Sequence, residues 1–140
     1  MDCVADLSFT SGWFQPAQSH LEGVRLLKEH LAGEVKLACP SIWIYEVLNL
    51  LASGVRRGRL TEAQADDALE LLNALEVSIE EPHPDTVLRR VHRFARQFKL
   101  TAYDAAYLEL ADRLQVPLLT RDEELLNAAK QRGLSLTLPK

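Results

Sequence analysis

The sequence predicts an α/β fold, a three-layer α/β/α sandwich around a mainly parallel, roughly five-stranded sheet, and two observations lead there. Apolar runs too short for helices alternate with longer segments whose apolar residues recur at helical spacing. Repeated strand-then-helix order calls for parallel pairing, since parallel strands need crossover connections and these cover both sheet faces. A length of 140 residues, 47% hydrophobic and 26% charged, suits one domain over residues 1–140 with its own core.

Cys3 to Ala5 is the first strand, ending in Asp6. From Ser19 to Leu31, Leu21, Val24, Leu27 and Leu31 fall at helical spacing and Gly33 closes the segment. Val35 to Cys39 reads as the second strand, and Pro40 and Ser41 open an apolar helix, Ile42 to Ala52, stopped near Gly54. After a turn at Gly58 and Arg59, Thr61 with Gln64 forms a capping box for a helix carrying Ala65, Ala68, Leu69, Leu72 and Leu75, so the two helices make a hairpin. Val77 to Ile79 is a third strand, and Pro82 and Pro84 interrupt the chain before a helix from Asp85 to Phe98. The last third gives a helix from Thr101 to Leu114, a buried strand from Val116 to Thr120, a helix from Asp122 to Gln131 ended by Gly133, and a final strand from Leu134 to Leu138.

Bulk properties exclude several classes. No apolar run of about eighteen residues and no secretory leader pattern is present, which predicts a cytoplasmic protein without a membrane segment. Cys3 and Cys39 lack C-x-x-C spacing and sit among apolar residues, as buried free thiols do. The net charge of −4 does not exclude nucleic acid: with four of the 20 acids facing cations, the remaining 16 match the 16 Lys and Arg.

In such sheets the working site lies beyond the carboxyl ends of the strands. Asp6 follows the first strand and Asp122 follows Val116 to Thr120 by two residues, so both emerge at that edge. Helix N-termini point to the same edge, bringing Asp104, in the first turn after Thr101, and Glu46, one to two turns after Ser41. Four carboxylates brought together repel one another and raise each other's pKa unless cations lie between them. All-oxygen ligands suit Mg2+ or Mn2+, and two such ions about 3.5 to 4 Å apart suit phosphodiester hydrolysis.

Each acid has a structural explanation as well. Thr101-x-x-Asp104 is also a capping pattern, the same spacing as Thr61 and Gln64, and Asp122 sits where aspartate caps helices. Glu46 is harder to explain away, because it interrupts a helix apolar nearly all round and a charge buried there needs a partner; Asn49, three residues on, shares its face. Ser8 reads as a local cap or turn residue.

Val4-Ala5-Asp6-Leu7-Ser8, Trp13-Phe14-Gln15-Pro16, Cys39-Pro40-Ser41 and Tyr45-Glu46-Val47-Leu48-Asn49 resemble the first half of PIN-domain ribonucleases of the VapC toxin type. Leu100-Thr101-Ala102-Tyr103-Asp104-Ala105-Ala106-Tyr107-Leu108 and Pro117-Leu118-Leu119-Thr120-Arg121-Asp122-Glu123-Glu124-Leu125 resemble that family's two most recognisable blocks, in order and suitably spaced. Specificity comes from the set, since a lone D-A-x-Y or T-x-D is weak. The resemblance implies a Mg- or Mn-dependent endoribonuclease acting on RNA, a homodimer, and a cognate antitoxin that blocks the site, within a prokaryotic toxin–antitoxin pair. It places Asp6, Glu46, Asp104 and Asp122 on the family's acidic positions, Thr120 and Ser8 where hydroxyls adjoin the metals, and Asn49 on a polar neighbour. The chain departs from the pattern at Asp2 and Cys3, usually aliphatic, and at Leu7, usually small.

Substrate contacts are less legible. Arg56, Arg57 and Arg59 cluster in the helical hairpin and Arg89, Arg90, Arg93 and Arg96 recur along a helix; either group reads as a phosphate contact or as a solvated face. Trp13, Phe14 and Trp43 read as core rather than base-stacking residues. The rival readings are a catalytically inactive PIN-like module that binds RNA or protein, and another α/β phosphate enzyme. Ser8 stands where an aspartyl phosphatase needs a second acid, and neither a Gly-rich phosphate loop nor G-x-S-x-G occurs.

Overall fold

Among residues 2–81 and 84–135, which the computed structural model describes, four parallel strands form the central sheet. They are β1 (Cys3–Ala5), β2 (Leu37–Pro40), β3 (Ser78–Glu80) and β4 (Leu118–Leu119), in the order β3-β2-β1-β4. All residues of β1, β2 and β4 are buried, which is why they read as unbroken apolar runs, whereas β3 lies at the edge and is largely exposed. The expected last strand, Leu134 to Leu138, falls mostly outside the described residues; at its start Leu118 N–H donates to Leu134 O (2.9 Å). Pro82, one of the two expected interruptions before the helix at Asp85, lies outside them as well.

Helices cover both faces. The chain steps outward from β1 to β2 to β3, then returns past β1 to β4, so right-handed crossovers put the intervening helices on opposite sides. One layer holds α1 (Leu7–Thr10), α2 (Leu21–Leu31), α3 (Ile42–Arg56) and α4 (Glu62–Ala74); the other holds α5 (Asp85–Gln97), α6 (Ala102–Leu114) and α7 (Glu123–Gln131). The sandwich is the predicted one. Trp43, Tyr107, Leu26, Leu108 and Leu118 are among its largest fully buried side chains.

Several local expectations are corrected. Leu7 to Gln18 has no helical period, yet it forms α1 and two 3-10 turns at 11–13 and 16–18, ordered by local bonds such as the Asp6 carboxylate accepting Phe9 N–H (3.2 Å). Strand edges shift by one or two residues, and β4 is shorter than the apolar run containing it. Gly54 does not stop α3, which runs on to Arg56. Gly54 instead makes room for the returning chain: a Cβ there would lie 2.8 Å from Leu60 Cδ1, and its carbonyl accepts Arg59 N–H (2.8 Å) and Leu60 N–H (3.1 Å). Nor is α3 enclosed all round. Trw-sized apolar side chains at the 3.6 period, Trp43, Val47 and Leu51, face inward, while Tyr45, Leu48 and Asn49 face out. The capping box forms as read, with both reciprocal Thr61–Gln64 bonds present.

An ion-pair network ties the second layer together. Asp112 accepts from Arg90 Nη2 (2.5 Å) and Arg132 Nη2 (2.8 Å), Glu109 pairs with Arg90 (3.3 Å) and Arg113 (3.1 Å), and the guanidiniums of Arg90 and Arg132 lie over the Phe94 ring at 5.4 and 5.2 Å. Burial alone would raise the Asp112 carboxyl, but Arg132 and Arg90 outweigh it and hold it below the ordinary carboxylate value. Arg90 is therefore committed to structure rather than free for phosphate.

Candidate active site

β1 and β4 are neighbours in register, Ala5 opposite Leu119, so the residues that follow them are forced together. The chain leaves β1 towards one helical layer and β4 towards the other, and the crevice between them is the topological switch point where ligands bind in open parallel sheets.

Asp6 sits at this point, 5% exposed. Its Oδ1 accepts Ser8 Oγ–H (2.6 Å) and Phe9 N–H (3.2 Å), and its Oδ2 accepts Thr120 Oγ1–H (2.6 Å). Each hydroxyl is itself fixed by a backbone donor: Arg121 N–H reaches Ser8 Oγ (2.8 Å) and Asp122 N–H reaches Thr120 Oγ1 (3.0 Å). Two short relays thus hold the carboxylate in one orientation. A carboxylate offers about four lone-pair sites, and these three bonds leave one on Oδ2 for a cation. The unusual Cys3 and Leu7 do not disturb this geometry: Cys3 is fully buried in β1 and Leu7 opens α1.

Glu46 accepts a very short hydrogen bond from Tyr107 Oη, which joins α3 to α6. Tyr107 escaped the sequence reading; its signal was a polar-tipped ring in a core helix, which needs a partner when buried. Asp104 stands half-buried in the first turn of α6, where Thr101 Oγ1 caps the helix by accepting Asp104 N–H (3.1 Å). The reciprocal bond that completes the box at Thr61 is not formed here, so the Asp104 carboxylate is not used up by capping. Asp122 does cap: its Oδ1 accepts Leu125 N–H (2.9 Å) at the start of α7, leaving Oδ2 uncommitted.

The four acids share one electrostatic field. Burial raises Asp6 above its ordinary value against the bonds from Ser8, Thr120 and Phe9, and Asp104 adds to the rise. Glu46 is raised by burial, opposed by the Tyr107 bond and reinforced by Asp6 and Asp104. Asp104 is raised by burial and by Asp122, with Thr101 opposing and Glu124, an acid the sequence did not single out, adding. This is the signature of carboxylates gathered without compensating charge.

Oxygen donors alone favour hard dications over zinc or copper. Among the described residues no three of His, Cys, Asp and Glu stand close enough to ligate one ion directly. The arrangement therefore does not match a closed all-protein cage. It matches the way Mg2+ is usually held, through one or two carboxylates with waters and substrate phosphates completing the shell.

Other candidates are not gathered in. Asn49 is exposed on α3. Arg56, Arg57 and Arg59 are exposed around the far end of α3, with Arg56 ten residues from Glu46, about 15 Å along a helix axis. Arg121, exposed between Thr120 and Asp122, is the basic residue that adjoins the acids, and the sequence reading passed over it. Trp43 and Phe14 are core, as read, and Trp13 is half-buried with its Nε1–H on Gly23 O (2.8 Å). A separate apolar cavity lined by Pro40, Ile42, Val87, Val91, Ala106 and Leu110 includes none of the four acids.

Residues 10–131 match the PIN domain family. Ribonuclease VapC3 of Pyrobaculum aerophilum is 30% identical over 125 residues, 89% of this chain and 92% of its own. Exonuclease VapC9 of the same organism is 39% identical over 99 residues, 70% of this chain and 69% of its own. Ribonuclease VapC1 of Mycobacterium tuberculosis is 33% identical over 103 residues, covering 74% and 71%. The crystal structure of PAE2754 from Pyrobaculum aerophilum superposes with a TM-score of 0.70 at 29% identity, covering 91% of this chain and 79% of that one.

Proposed function

The chain belongs to the PIN-domain family and groups within it with the VapC ribonucleases, and from that premise we propose that it is a Mg- or Mn-dependent endoribonuclease, the toxin of a toxin–antitoxin pair. The observation that carries the reading is the mutual elevation of Asp6, Glu46 and Asp104 at the switch point, with Asp122 acting on Asp104. A dication held there supplies polarisation of a phosphoryl oxygen and a bound water acidic enough to attack near neutral pH.

The protein's own residues do the positioning. Asp6, Glu46, Asp104 and Asp122 hold the ion or ions, Asp6 through the lone pair on Oδ2. Ser8 and Thr120 keep the Asp6 oxygens from rotating, because each spends its proton on Asp6 and receives one from the backbone. Tyr107 does the same for Glu46. With Tyr107→Phe, divalent-ion affinity measured calorimetrically should fall by about 10-fold or more, as when the partner of a metal ligand is removed, while Glu46→Gln in the same background should add little further loss.

The toxin reading brings with it a homodimer and a cognate antitoxin that covers the acids, and it places the protein in the prokaryotic cytoplasm. No described helix is long and apolar enough to cross a membrane. A binding-only PIN-like module is the second reading, favoured by the absence of three jointly ligating acids among the described residues. An end-labelled single-stranded RNA incubated with Mg2+, Mn2+ or chelator separates the readings. Internal cuts that need the metal and vanish in Asp104→Asn support the endonuclease. Binding without cuts supports the module, and stepwise loss from one end supports an exonuclease.

A further inference from the structure

We propose that Tyr45 and Tyr103 are stacking platforms for unpaired bases on either side of the acid cluster, so that this site selects single-stranded over duplex RNA. The inference rests on the nuclease reading for the identity of the ligand, but its observations are separate ones. Aromatic rings are elsewhere withdrawn: Phe9, Phe14, Trp43, Phe94 and Tyr107 are buried, and Trp13 and Phe98 are half-buried. Tyr45 and Tyr103 are 68% and 62% exposed. Isolated exposed apolar side chains are ordinary, so exposure alone says nothing.

Position is what distinguishes these two. Tyr45 immediately precedes Glu46 and Tyr103 immediately precedes Asp104, and both acids belong to the cluster. The helices that carry them are joined at the Glu46–Tyr107 bond. Tyr103 lies four residues before Tyr107, on the same face of α6 and one turn nearer the crevice. Neither phenol makes a hydrogen bond or ring contact among the described residues, so nothing in the fold uses them.

The chemistry of the cleft gives such platforms a purpose. Four carboxylates repel an approaching phosphate backbone, and the arginine group at the far end of α3 is too distant to offset this at the scissile bond. A base has a π-face that carries no charge, and stacking on tyrosine attracts it regardless of sequence. A paired base has both faces occupied within the helix and cannot be captured in this way. Stacking is also indifferent to the sugar, so the tyrosines read strandedness and not the 2′-hydroxyl.

The test uses a short single-stranded RNA carrying 2-aminopurine, whose fluorescence is quenched on stacking, titrated with the full chain in chelator so that no cleavage occurs. Tyr45→Leu and Tyr103→Leu should each weaken binding about 10-fold and relieve quenching, whereas Tyr45→Phe and Tyr103→Phe should stay within about 2-fold of the parent, since the ring and not the hydroxyl stacks. In the presence of Mg2+ the Leu variants should lose cleavage through KM rather than kcat. Parent-like quenching and affinity in both Leu variants, with the parent binding and cutting RNA, would overturn this inference and leave the nuclease reading intact. Tyrosine-dependent binding with no cutting would support the platforms and sink the nuclease. Leu variants that change molecular mass by light scattering yet bind RNA normally would overturn the inference by making this face a protein contact.

Discussion

Asp6→Asn is expected to reduce metal-dependent RNA cleavage by more than about 100-fold, beyond the loss typical for a residue that merely supports a metal ligand. The same substitution should leave the metal-free protein at least as stable as the parent. Asn keeps an oxygen for Ser8 and Phe9, and the Thr120 hydroxyl can turn to accept from the new amide, while the charge repelled by Glu46 and Asp104 is gone. The pH dependence follows with a definite sign. Folding raises the carboxyls of Asp6, Glu46 and Asp104, so between their ordinary and raised values the native state binds more protons than the unfolded chain, and stability rises as pH falls. Metal-free parent protein should therefore melt at higher temperature in mild acid, about pH 5, than at neutral pH. Asp6→Asn should flatten that rise.

Asp112→Ala is expected to destabilise the fold by about 3 kcal/mol, the lower end for breaking a buried ion pair, because Arg90 and Arg132 keep partial access to water at 31% and 38% side-chain exposure. Urea denaturation should show the loss as a lower midpoint with unchanged slope, and cleavage per folded molecule should match the parent. Here the sign of the pH effect is reversed. The Asp112 carboxyl is depressed on folding, so its contribution is present above the ordinary carboxylate value and is lost as pH falls through the lower one. The two opposed terms give the metal-free protein a stability maximum in mild acid, which the Asp112→Ala variant should broaden towards low pH.

These two residues also show what the sequence could disclose. Asp6 was legible because a carboxylate after a buried strand lies, by topology, at the working edge of a parallel sheet. Asp112 was not, because a single acid in a helix carries no mark of the three arginines that reach its neighbourhood from α5, α6 and α7. The same division runs through the rest. Helices with a clear apolar period, α2, α4 and α5, lie close to where spacing put them, and the capping box at Thr61 is realised atom for atom. Leu7 to Gln18, whose order depends on the Asp6 carboxylate and on 3-10 turns, had no period to read. Gly54 looked like a stop and turned out to be a gap for Leu60, a fact that depends on a residue six positions later folding back.

In the site, side-chain type and strand ends predicted which acids meet, but not what holds them. Ser8 and Thr120 lie 112 residues apart and become equivalent supports of one carboxylate only once β1 and β4 pair. Tyr107 and Arg121 entered for the same reason. The arginines at the α3–α4 turn, conspicuous as a run of charge, are held away from the acids by the length of a straight helix.

The central claim is that these carboxylates repel one another until a dication joins them. Thermal unfolding at neutral pH over a titration of Mn2+ tests it most directly. The account predicts a saturable rise in melting temperature for the parent, an absent or much smaller rise for Asp6→Asn, and a metal-free starting point for the variant no lower than that of the parent. A parent protein whose melting temperature does not respond to Mn2+, or an Asp6→Asn variant that responds equally, would contradict it.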